Sequence, residues 1–416
     1  MRLTRIGVVL LTGFLASAPP TLRAQGGVPR VTLAEALKAF AENSPALRIA
    51  RAEAAEIAGR ARQYRGYANP AFSLLREDLS RSGEDYWETT AGLTQRIEWP
   101  GRTAARGVAA RHAITGAGAR FRADSLQLAF SVREAYVTAW LAEEAERTIG
   151  QAAEMIQVVT RAAERRLEAG DISGYETRRL RLGRIEAEKD EVDAELRARA
   201  ARRLLASLVL PEASSHELGP ADAIIGVPPA IGSGSARDAL SRRPDLEAAA
   251  RELDAARAQH RVANLEWVPD PAVSLAYKEH ADGFKGAMVG VDLPLPIFNR
   301  AGGVREEAAA RESAATSGLV LLRRQAELDL VDASDRYSVA RERLEVTGDG
   351  IMAEAEALLS AARVAYDEGE MTLVGFLDAT GAFRDARLSA LILRAEAWIA
   401  YYNLVRALGG GPGEES

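Results

Sequence analysis

The sequence predicts a mainly α-helical protein that also contains β-hairpins and is built from one unit that occurs twice. Short motifs recur in the same order at an offset of about 200 residues, as they do in proteins with internal repeats. Apolar residues and alanines follow heptad spacing over long segments, which predicts helices packed on helices. Shorter segments alternate apolar and polar residues, which is typical of β-strands.

The composition excludes several classes of protein. The chain has 416 residues and is 47% hydrophobic, so it can fold. It has no cysteine, which excludes disulfides, thiolate metal sites, a cysteine nucleophile and a lipidated N-terminal cysteine. A formal net charge of −6 argues against a nucleic-acid partner.

Nothing in the sequence indicates catalysis or a bound cofactor. There is no Walker-type Gly-rich phosphate loop, and no nucleophile–base or carboxylate pair can be argued at close spacing. The histidines, His112, His216, His260 and His280, lack the spacing of metal ligands, and we interpret them as surface residues. We therefore expect no enzymatic activity, no cofactor and no metal site.

Residues 1–24 have the pattern of a secretory signal peptide. Arg2 and Arg5 precede an apolar run over residues 6–18, and Ala24 ends a short cleavage motif. We expect cleavage after Ala24 and, because no cysteine follows, no lipid anchor. The run is shorter than the roughly 20 residues of a spanning helix, and no later stretch is apolar enough. An exported chain of this kind can still enter a membrane as β-strands.

Four pairs of segments carry the repeat. They are residues 70–74 with 271–275, 169–173 with 368–372, 44–47 with 243–246, and 99–102 with 297–300. Because all four keep one order and nearly one offset, we interpret residues 25–210 and 236–408 as two copies of one unit. Residues 211–235, rich in Pro, Gly and Ser, are predicted to be a linker, and residues 409–416 a flexible tail.

Each copy is predicted to contain a helix, a β-hairpin, a very long helix and a return helix. In the first copy these are residues 32–64, strands 69–80 and 86–99, and helices 102–169 and 173–210. In the second copy they are residues 236–265, strands 270–280 and 284–298, and helices 303–368 and 372–408. The long helices reach about 100 Å at ~1.5 Å per residue. A globular core cannot bury them, so we expect a long cylinder in which the first and return helices stack end to end.

Heptad seams support this packing of helix on helix. The seam residues fall seven apart: Leu180, Ala187, Ala194, Ala201 and Leu208 in the first return helix, and Phe376, Phe383, Ala390, Ala397 and Leu404 in the second. Frequent alanine lets helix backbones approach closely, which favours a curved wall of antiparallel helices. The seams alone fit an ordinary soluble coiled coil equally well.

The second strand of each hairpin alternates as a membrane β-strand does. In residues 86–99 and 284–298 one face is mostly apolar, and polar residues or glycine occupy the other. Aromatic residues that suit the two membrane interfaces bracket the hairpins, namely Tyr67, Tyr86, Trp87, Trp99, Trp267, Phe284 and Phe298. A soluble sheet packed on the helices is the alternative interpretation.

The number and length of the strands favour a membrane and require an oligomer. A tilted strand of ~12 residues rises roughly 30 Å, enough to cross an apolar band of about 25 Å. Four strands per chain cannot close a barrel, and an open edge in lipid leaves backbone groups unpaired. Twelve strands from three chains begin to leave room for a channel, whereas eight fill the lumen with side chains. We therefore expect a homotrimer that shares one 12-stranded barrel.

The duplicated unit resembles the TolC family of outer-membrane efflux channels over nearly the whole mature chain. Asn69-Pro70 and Asp270-Pro271 open the two hairpins, as the resemblance requires. Residues 93–98 with Gly101-Arg102, and residues 290–300, are more narrowly similar to the heavy-metal-efflux, CzcC-like branch. The absence of a cysteine after the signal peptide departs from the lipidated members.

The resemblance implies both an architecture and a function. The fold it implies is a trimer whose 12-stranded β-barrel sits in outer-membrane lipid and continues as a periplasmic α-helical barrel, closed at its far tip. The partners it implies are a periplasmic adaptor (membrane fusion) protein and an inner-membrane efflux pump of the resistance-nodulation-division type. The function is passive conduction of substrates from periplasm to exterior, and the CzcC-like motifs favour metal cations as cargo.

The turns between the long and return helices contain the candidate site residues. Glycine stands where one helix ends, and an acidic or hydroxyl residue stands where the next helix begins. Helix termination and capping are by themselves a sufficient explanation for these residues. The resemblance adds that this tip is where such channels narrow and adaptors dock. The gate or docking candidates are Gly170, Asp171, Ser173, Arg178, Arg363, Gly369, Glu370, Thr372 and Asp378. Three copies of each tip acid would form a negative ring that attracts cations.

A soluble periplasmic coiled-coil adaptor or scaffold protein is the competing function. In that case the hairpins would pack on the helices. An adaptor is expected to carry a compact β-rich domain instead of two isolated long hairpins between helices, so the channel is the favoured interpretation.

Overall fold

The structure is a computed structural model that describes residues 28–169, 172–210, 216–231 and 236–410. The expected signal peptide, residues 1–24, and residues 411–416 of the expected tail lie outside the described residues. Within the described ranges, no helix is both long and apolar enough to cross a membrane.

Helices dominate the described chain. They are α1 Leu33–Asn43, α2 Pro45–Tyr64, α3 Pro100–Glu168, α4 Gly174–Val209, α5 Ala236–Arg242, α6 Pro244–Asn264, α7 Gly302–Arg343, α8 Asp349–Asp367 and α9 Leu373–Ala407, with a π-helix at Leu344–Gly348 between α7 and α8. The strands are β1 Arg30–Val31, β2 Ala71–Arg81, β3 Glu84–Arg96, β4 Gly219–Pro220, β5 Ala272–His280 and β6 Lys285–Asp292. The order helix, hairpin, long helix and return helix occurs in both halves of the chain.

Proline breaks the first helix of each half, which the predictions 32–64 and 236–265 treated as continuous. Pro45 and Pro244 each occupy the first position of a helix, and Ser44 and Arg243 before them have ψ of 122° and 120°. Proline disfavours the helical conformation of the residue before it, so the chain bends there and starts a new helix. In the first half the Ser44 hydroxyl also accepts a hydrogen bond from the Leu47 amide.

Other boundaries also differ from the predictions. The long helix predicted over residues 303–368 is interrupted by the π-helix Leu344–Gly348. The strand predicted over 284–298 ends at Asp292, because Pro294 and Pro296 cannot donate to a strand ladder. The strand predicted over 86–99 starts at Glu84 instead. It ends at Arg96, since helix α3 begins soon afterwards at Pro100.

Part of the predicted linker 211–235 is structured. Strand β4 in this segment pairs in parallel with β1 near the start of the described chain. The Tyr136 hydroxyl of α3 accepts a hydrogen bond from the Asp222 amide over 3.1 Å and donates one to the Val31 carbonyl over 3.1 Å. Burial raises the pKa of Tyr136 to about 12. The segment therefore fastens the N-terminal strand to the long helix.

The two hairpins form one antiparallel sheet in the order β2-β3-β5-β6. Strands β3 and β5, which lie far apart in sequence, pair from Glu88 opposite His280 to Arg96 opposite Ala272. Both hairpin turns therefore lie at one end of the sheet, and the helices lie at the other. Gly83 and Gly283 take up positive φ in those turns, at 98° and 86°.

Alanine forms much of the contact between the helices. The long helix α3 packs against α2, α4, α6 and α9. Its residues Ala119, Ala139 and Ala163 are fully buried, as are Ala198 of α4 and Ala397 of α9. Of the predicted seam residues, all but the partly exposed Leu208 are buried. The small side chains allow a thin wall of closely spaced helices.

Buried arginines join the ends of the helices. The Arg243 guanidinium, 8% exposed, lies 2.8 Å from the carboxylate of Asp245 and 2.9 Å from that of Asp329 on α7, and it donates to the Ala407 carbonyl at the end of α9. Burial alone would raise the pKa of Asp245, but the hydrogen bonds and charge of Arg243 outweigh it and leave the pKa below its ordinary value. In the first half, Arg202 of α4 similarly binds Glu217 over 2.9 Å.

Candidate functional site

One face of the four-stranded sheet is apolar except near the hairpin turns, where the row Arg76, Thr89, Glu279 and Lys285 is polar. Register places residues from all four strands side by side in rows, and two such rows are Phe72, Leu93, Leu275, Val289 and Leu74, Ala91, Tyr277, Ala287. In the first row the exposed fractions are 68%, 53%, 59% and 71%, in the same order. Large apolar side chains this exposed on one continuous surface mark a face that meets lipid or a partner.

The opposite face of the sheet is small and polar. Its rows include Ala71, Thr94, Ser274, Gly290 and Ser73, Gly92, Ala276, Met288. A Cβ at Gly92 would come within 2.9 Å of the Ala276 Cβ, and one at Gly290 within 2.6 Å of the Ser274 Oγ, so glycine is needed for this close packing. Leu75, Leu79 and Met288 are exceptions to the polar character of the face.

A charged cluster lies on the polar face near the hairpin turns. The Lys278 ammonium lies 2.5 Å from the Glu88 carboxylate across strands β5 and β3. The same carboxylate lies 3.8 Å from His280 Nδ1, and His280 also contacts the Tyr86 hydroxyl. Glu77 of β2 stands directly opposite Glu88. We did not predict this cluster, although charged residues at alternating strand positions were its signal in the sequence.

The predicted interface aromatics lie at the two ends of the sheet. Tyr86, Trp87 and Phe284 stand at the end with the hairpin turns, and Tyr67, Trp99, Trp267 and Phe298 stand at the end with the helices. Their exposed fractions reach 74% for Phe284 and 100% for Phe298. The Arg76 guanidinium lies over the Trp87 ring, 5.1 Å from its centroid. The sheet thus carries an apolar band with an aromatic group at each end.

Arg102 links the sheet to the helices. Its guanidinium, 7% exposed, lies 2.8 Å from the Asp270 carboxylate and donates to the carbonyls of Leu265 and Val268. Gly101-Arg102 and Asp270-Pro271 are distinct motifs in the sequence, which does not indicate that they meet. The structure shows that one motif binds the other, which fixes the start of α3 to the segment that leads into β5.

Several candidates at the tip have local structural roles. Ser173 caps α4 by accepting a hydrogen bond from the Glu176 amide, and the Glu176 carboxylate accepts one from the Ser173 amide, each over 3.2 Å. Thr372 caps α9 through the Gly375 amide over 3.1 Å. Gly369 has φ of 78° and ends α8. Gly170 and Asp171 lie outside the described residues.

The other tip candidates are exposed. Arg178, Arg363, Glu370 and Asp378 have exposed side chains that form no ion pair with another residue of the described part of the chain. Ion pairs between helices toward the tip form instead between Arg181 and Glu164 over 3.0 Å and between Arg384 and Asp190 over 3.2 Å. The sequence does not reveal either pair, because the two members of each pair lie on different helices.

An apolar cluster fills the space between the helices behind the tip. The cluster includes Val159, Ala163, Leu180, Ala362, Leu373, Phe376 and Ala379. The rings of Tyr366 and Phe376 lie 5.1 Å apart. The tip therefore has an apolar interior and an exposed charged surface.

The described residues contain no group of three or more His, Asp or Glu side chains placed to hold a metal ion. Histidines pair with carboxylates instead: His260 Nδ1 lies 2.7 Å from Glu312, and His112 Nδ1 lies 3.6 Å from Asp254.

Comparison with known proteins gives consistent similarities. Residues 236–410 match the outer membrane efflux protein family. The cobalt-zinc-cadmium resistance protein CzcC of Cupriavidus metallidurans is 27% identical over 384 residues, which is 91% of this chain and 90% of CzcC. These matches confirm the resemblance to the TolC family and its heavy-metal branch, and they confirm that the chain is not an enzyme.

Two solved structures share the fold. A crystal structure of CusC superposes with a TM-score of 0.75 at 18% identity, covering 94% of this chain and 96% of CusC. The outer membrane protein VceC of Vibrio cholerae gives a TM-score of 0.75 at 22% identity, covering 91% of this chain and 96% of VceC. The similarity therefore extends over both halves of the described chain.

Replacing Arg102 should loosen the junction between sheet and helices. In Arg102→Ala, the carboxylate of Asp270 and two backbone carbonyls lose a buried donor, which costs roughly 2 kcal/mol locally. We expect amide hydrogen exchange in residues 265–271 to accelerate about 10-fold or more, measured by mass spectrometry. Arg311→Ala, which removes an exposed pair with Glu307 on α7, is the matched control and should leave exchange there unchanged. Unchanged exchange in the Arg102 variant would contradict the linking role.

Proposed function

We propose that this chain is the outer-membrane channel of a tripartite efflux system. Its residues 236–410 match the outer membrane efflux protein family, and the chain resembles the TolC-family channels. It conducts substrates passively from the periplasm to the exterior when it is docked to an adaptor and an inner-membrane pump. The observation that carries the proposal is the sheet with one apolar face, one polar face and two unpaired edges, joined directly to very long helices.

Closure of the sheet requires more than one chain. Within the described chain, β2 and β6 are the edges of the sheet, and each has a partner on one side only. In lipid every unpaired backbone group costs several kcal/mol, so the edges must pair with other copies. Three copies give the 12-stranded barrel, with the apolar face toward lipid and the polar face toward the lumen.

The same element order in both halves supports a duplicated unit. Two such units in each of three chains would give a barrel with near-sixfold repetition, in which each hairpin leads into a long helix and its return helix. The helices then continue the barrel into the periplasm as an α-helical barrel. The whole molecule would form one conduit, with the hairpin turns outside the cell and the helical tip in the periplasm.

The tip is the proposed gate and adaptor-docking surface. Its support is the exposed charge of Arg178, Arg363, Glu370 and Asp378 over an apolar interior. Asp171 and Glu370 from three copies would surround the mouth as a negative ring, which attracts cations and repels anions. The adaptor contacts this surface, and the partner pump is of the resistance-nodulation-division type.

Metal cations are the proposed cargo. The support is the similarity to a cobalt-zinc-cadmium resistance protein over most of the chain, together with the acidic tip. A passive conduit needs no fixed metal ligands, because the pump selects the cargo. Residues 1–24 would direct export and be cleaved, and the barrel alone would hold the protein in the outer membrane, without a lipid anchor.

A soluble adaptor or scaffold is not favoured. Such a protein would have to cover the apolar face of the hairpins with its own helices. In the structure that face is open, with Leu74 66% and Val291 71% exposed. A sheet of this kind would tend to aggregate in water, whereas in a membrane the lipid covers its apolar face.

The oligomer and the conduction can be tested together. Protein extracted from membranes by detergent should give a native mass of three chains and should form ion-conducting channels in planar bilayers. Extraction without detergent, or a stable monomer in mild detergent, would contradict the proposal. The outcome is independent of the identity of pump or adaptor.

Neutralising the tip acids should reduce cation preference. In a variant with Asp171→Asn and Glu370→Gln, loss of the ring should lower the cation-to-anion permeability ratio about two- to threefold, measured from reversal potentials in a salt gradient. Asp332→Asn, an exposed acid on α7 paired with Arg336, is the matched control and should keep the wild-type ratio. An unchanged ratio in the double variant would count against the ring.

Deletion of the gene should sensitise the cell to metals. We expect growth inhibition at lower cobalt, zinc or cadmium concentrations, with restoration by the wild-type gene and no comparable change for hydrophobic drugs. Sensitivity to drugs alone would overturn the metal cargo while leaving the channel intact. Minimum inhibitory concentrations measure both arms.

A further inference from the structure

We propose that strand β6 of one copy pairs with strand β2 of the next copy in one defined antiparallel register, with Asp292 opposite Ser73 and Leu293 opposite Phe72. The proposal rests on the trimeric channel proposed above and specifies its subunit contact. It follows from the pairing that already exists inside the chain between β3 and β5, which serves as a template for the pairing between chains.

The two hairpins correspond residue by residue. Ala71 opposite Thr94 begins the first hairpin ladder, and Ala272 opposite Asp292 begins the second. The motif at 70–74 also matches that at 271–275. Strand β2 therefore corresponds to β5, with Ser73 equivalent to Ser274, and β3 corresponds to β6, with Thr94 equivalent to Asp292.

The internal pairing then fixes the external one. Strand β3 meets β5 with Thr94 opposite Ser274. If each copy of the unit meets the next in the same way, β6 meets the neighbour's β2 with Asp292 opposite Ser73. Applied along the strands, the same rule places Val291 opposite Leu74 and Leu293 opposite Phe72.

This register keeps both faces of the sheet continuous. Val291, Leu74 and Phe72 lie on the apolar face, and alternation continued one residue past β6 places Leu293 there as well, so the pairing extends the apolar rows across the subunit boundary. Asp292 and Ser73 lie on the polar face. A slip of one residue would bring apolar side chains to the polar face along the whole strand, which a membrane barrel cannot tolerate.

The prolines after β6 agree with the proposed edge. Inside the chain, the Ile97 amide donates to the Pro271 carbonyl over 2.8 Å, and the equivalent contact joins the Leu295 amide to the neighbour's Pro70 carbonyl. Alternate residues of a strand point their amides to opposite sides. The His280 amide of β5 donates to the Phe284 carbonyl just before the start of β6. The backbone N–H and C=O groups of even-numbered residues along β6 therefore point toward β5. Pro294 and Pro296 therefore lack amides on the β5 side only, and the free edge keeps its donors at odd positions.

Exposed apolar residues on α4 independently support the same contact between copies. Leu391 and Ala395 of α9, 4% and 2% exposed, pack against Val137 and Trp140 of α3. Val192 and Leu196 of α4 stand at the same distances from their N-cap Ser173 as those residues do from Thr372. They are 63% and 61% exposed.

The contact that buries the α9 residues lies inside the chain, between the long helix of one unit and the return helix of the other. Its counterpart for α4 can come only from the next copy, whose second long segment, α7 and α8, corresponds to α3. The unburied apolar positions on α4 therefore mark the same subunit boundary as the free edges of the sheet.

Disulfide trapping tests the register, because the chain contains no cysteine of its own. Ser73→Cys with Asp292→Cys should oxidise in membranes to covalent dimers and trimers that survive boiling and disappear with reductant. Both positions face the polar side, where an aqueous oxidant can reach them, and directly opposed Cα atoms lie within disulfide reach. Thr94→Cys with Ser274→Cys, the equivalent pair inside the chain, is the matched control and should form a bond without a change in mass.

Shifted pairs separate the possible failures. Ala71→Cys with Asp292→Cys and Leu75→Cys with Asp292→Cys keep the polar face but move the register by two residues in either direction, and they should cross-link at least 10-fold less. Stronger cross-linking of a shifted pair, in protein that is still trimeric by native mass, would overturn the register and leave the channel standing. Absence of any trimer in native mass would overturn both.

Discussion

The pairing of β3 with β5 is the interaction on which the rest of the structure depends. It joins segments from the two halves of the chain and sets the hairpin turns at one end of the sheet. It aligns the apolar side chains of four strands on one face, which no single hairpin does. Because a shift of one residue would turn every side chain of a strand to the other face, this one ladder fixes which side chains share the apolar face and which share the polar face.

Three buried arginines hold the helices in the position that the sheet requires. Arg102, Arg202 and Arg243 each bind carboxylates from a separate segment of the chain, and Arg102 and Arg243 also bind backbone carbonyls. The planar guanidinium can serve several acceptors at once and stays charged when buried, which suits it to such junctions. Together with the apolar clusters between the helices, these junctions fix the positions of the segments that they join.

The two halves of the chain differ in length between the long helix and the tip. Val132, Ala135 and Ala139 of α3 match Leu330, Ala333 and Tyr337 of α7 in burial and spacing. From there to the tip caps, Ser173 and Thr372, the second half is one residue longer. The π-helix Leu344–Gly348 lies in this interval, and a π-helical turn accommodates one extra residue without shifting the buried face of the helix. The sequence predicts an uninterrupted helix over residues 303–368 instead of this π-helix, because local composition does not reveal a one-residue insertion that a π-helical turn accommodates.

The sequence by itself determined the features that depend on neighbouring residues. Local chemistry explains the alternation in the strands, the heptad seams, the caps at Ser173 and Thr372 and the glycine at Gly369. It also explains the helix breaks at Pro45 and Pro244, which the predicted continuous helices 32–64 and 236–265 did not include. Only the tertiary structure decided which distant residues meet: β3 with β5, Arg102 with Asp270, Lys278 with Glu88, and Asp190 with Arg384. Local patterns state that a strand has an apolar face or that an arginine is present. They do not state the partner, because pairing is settled by the simultaneous fit of all segments in space.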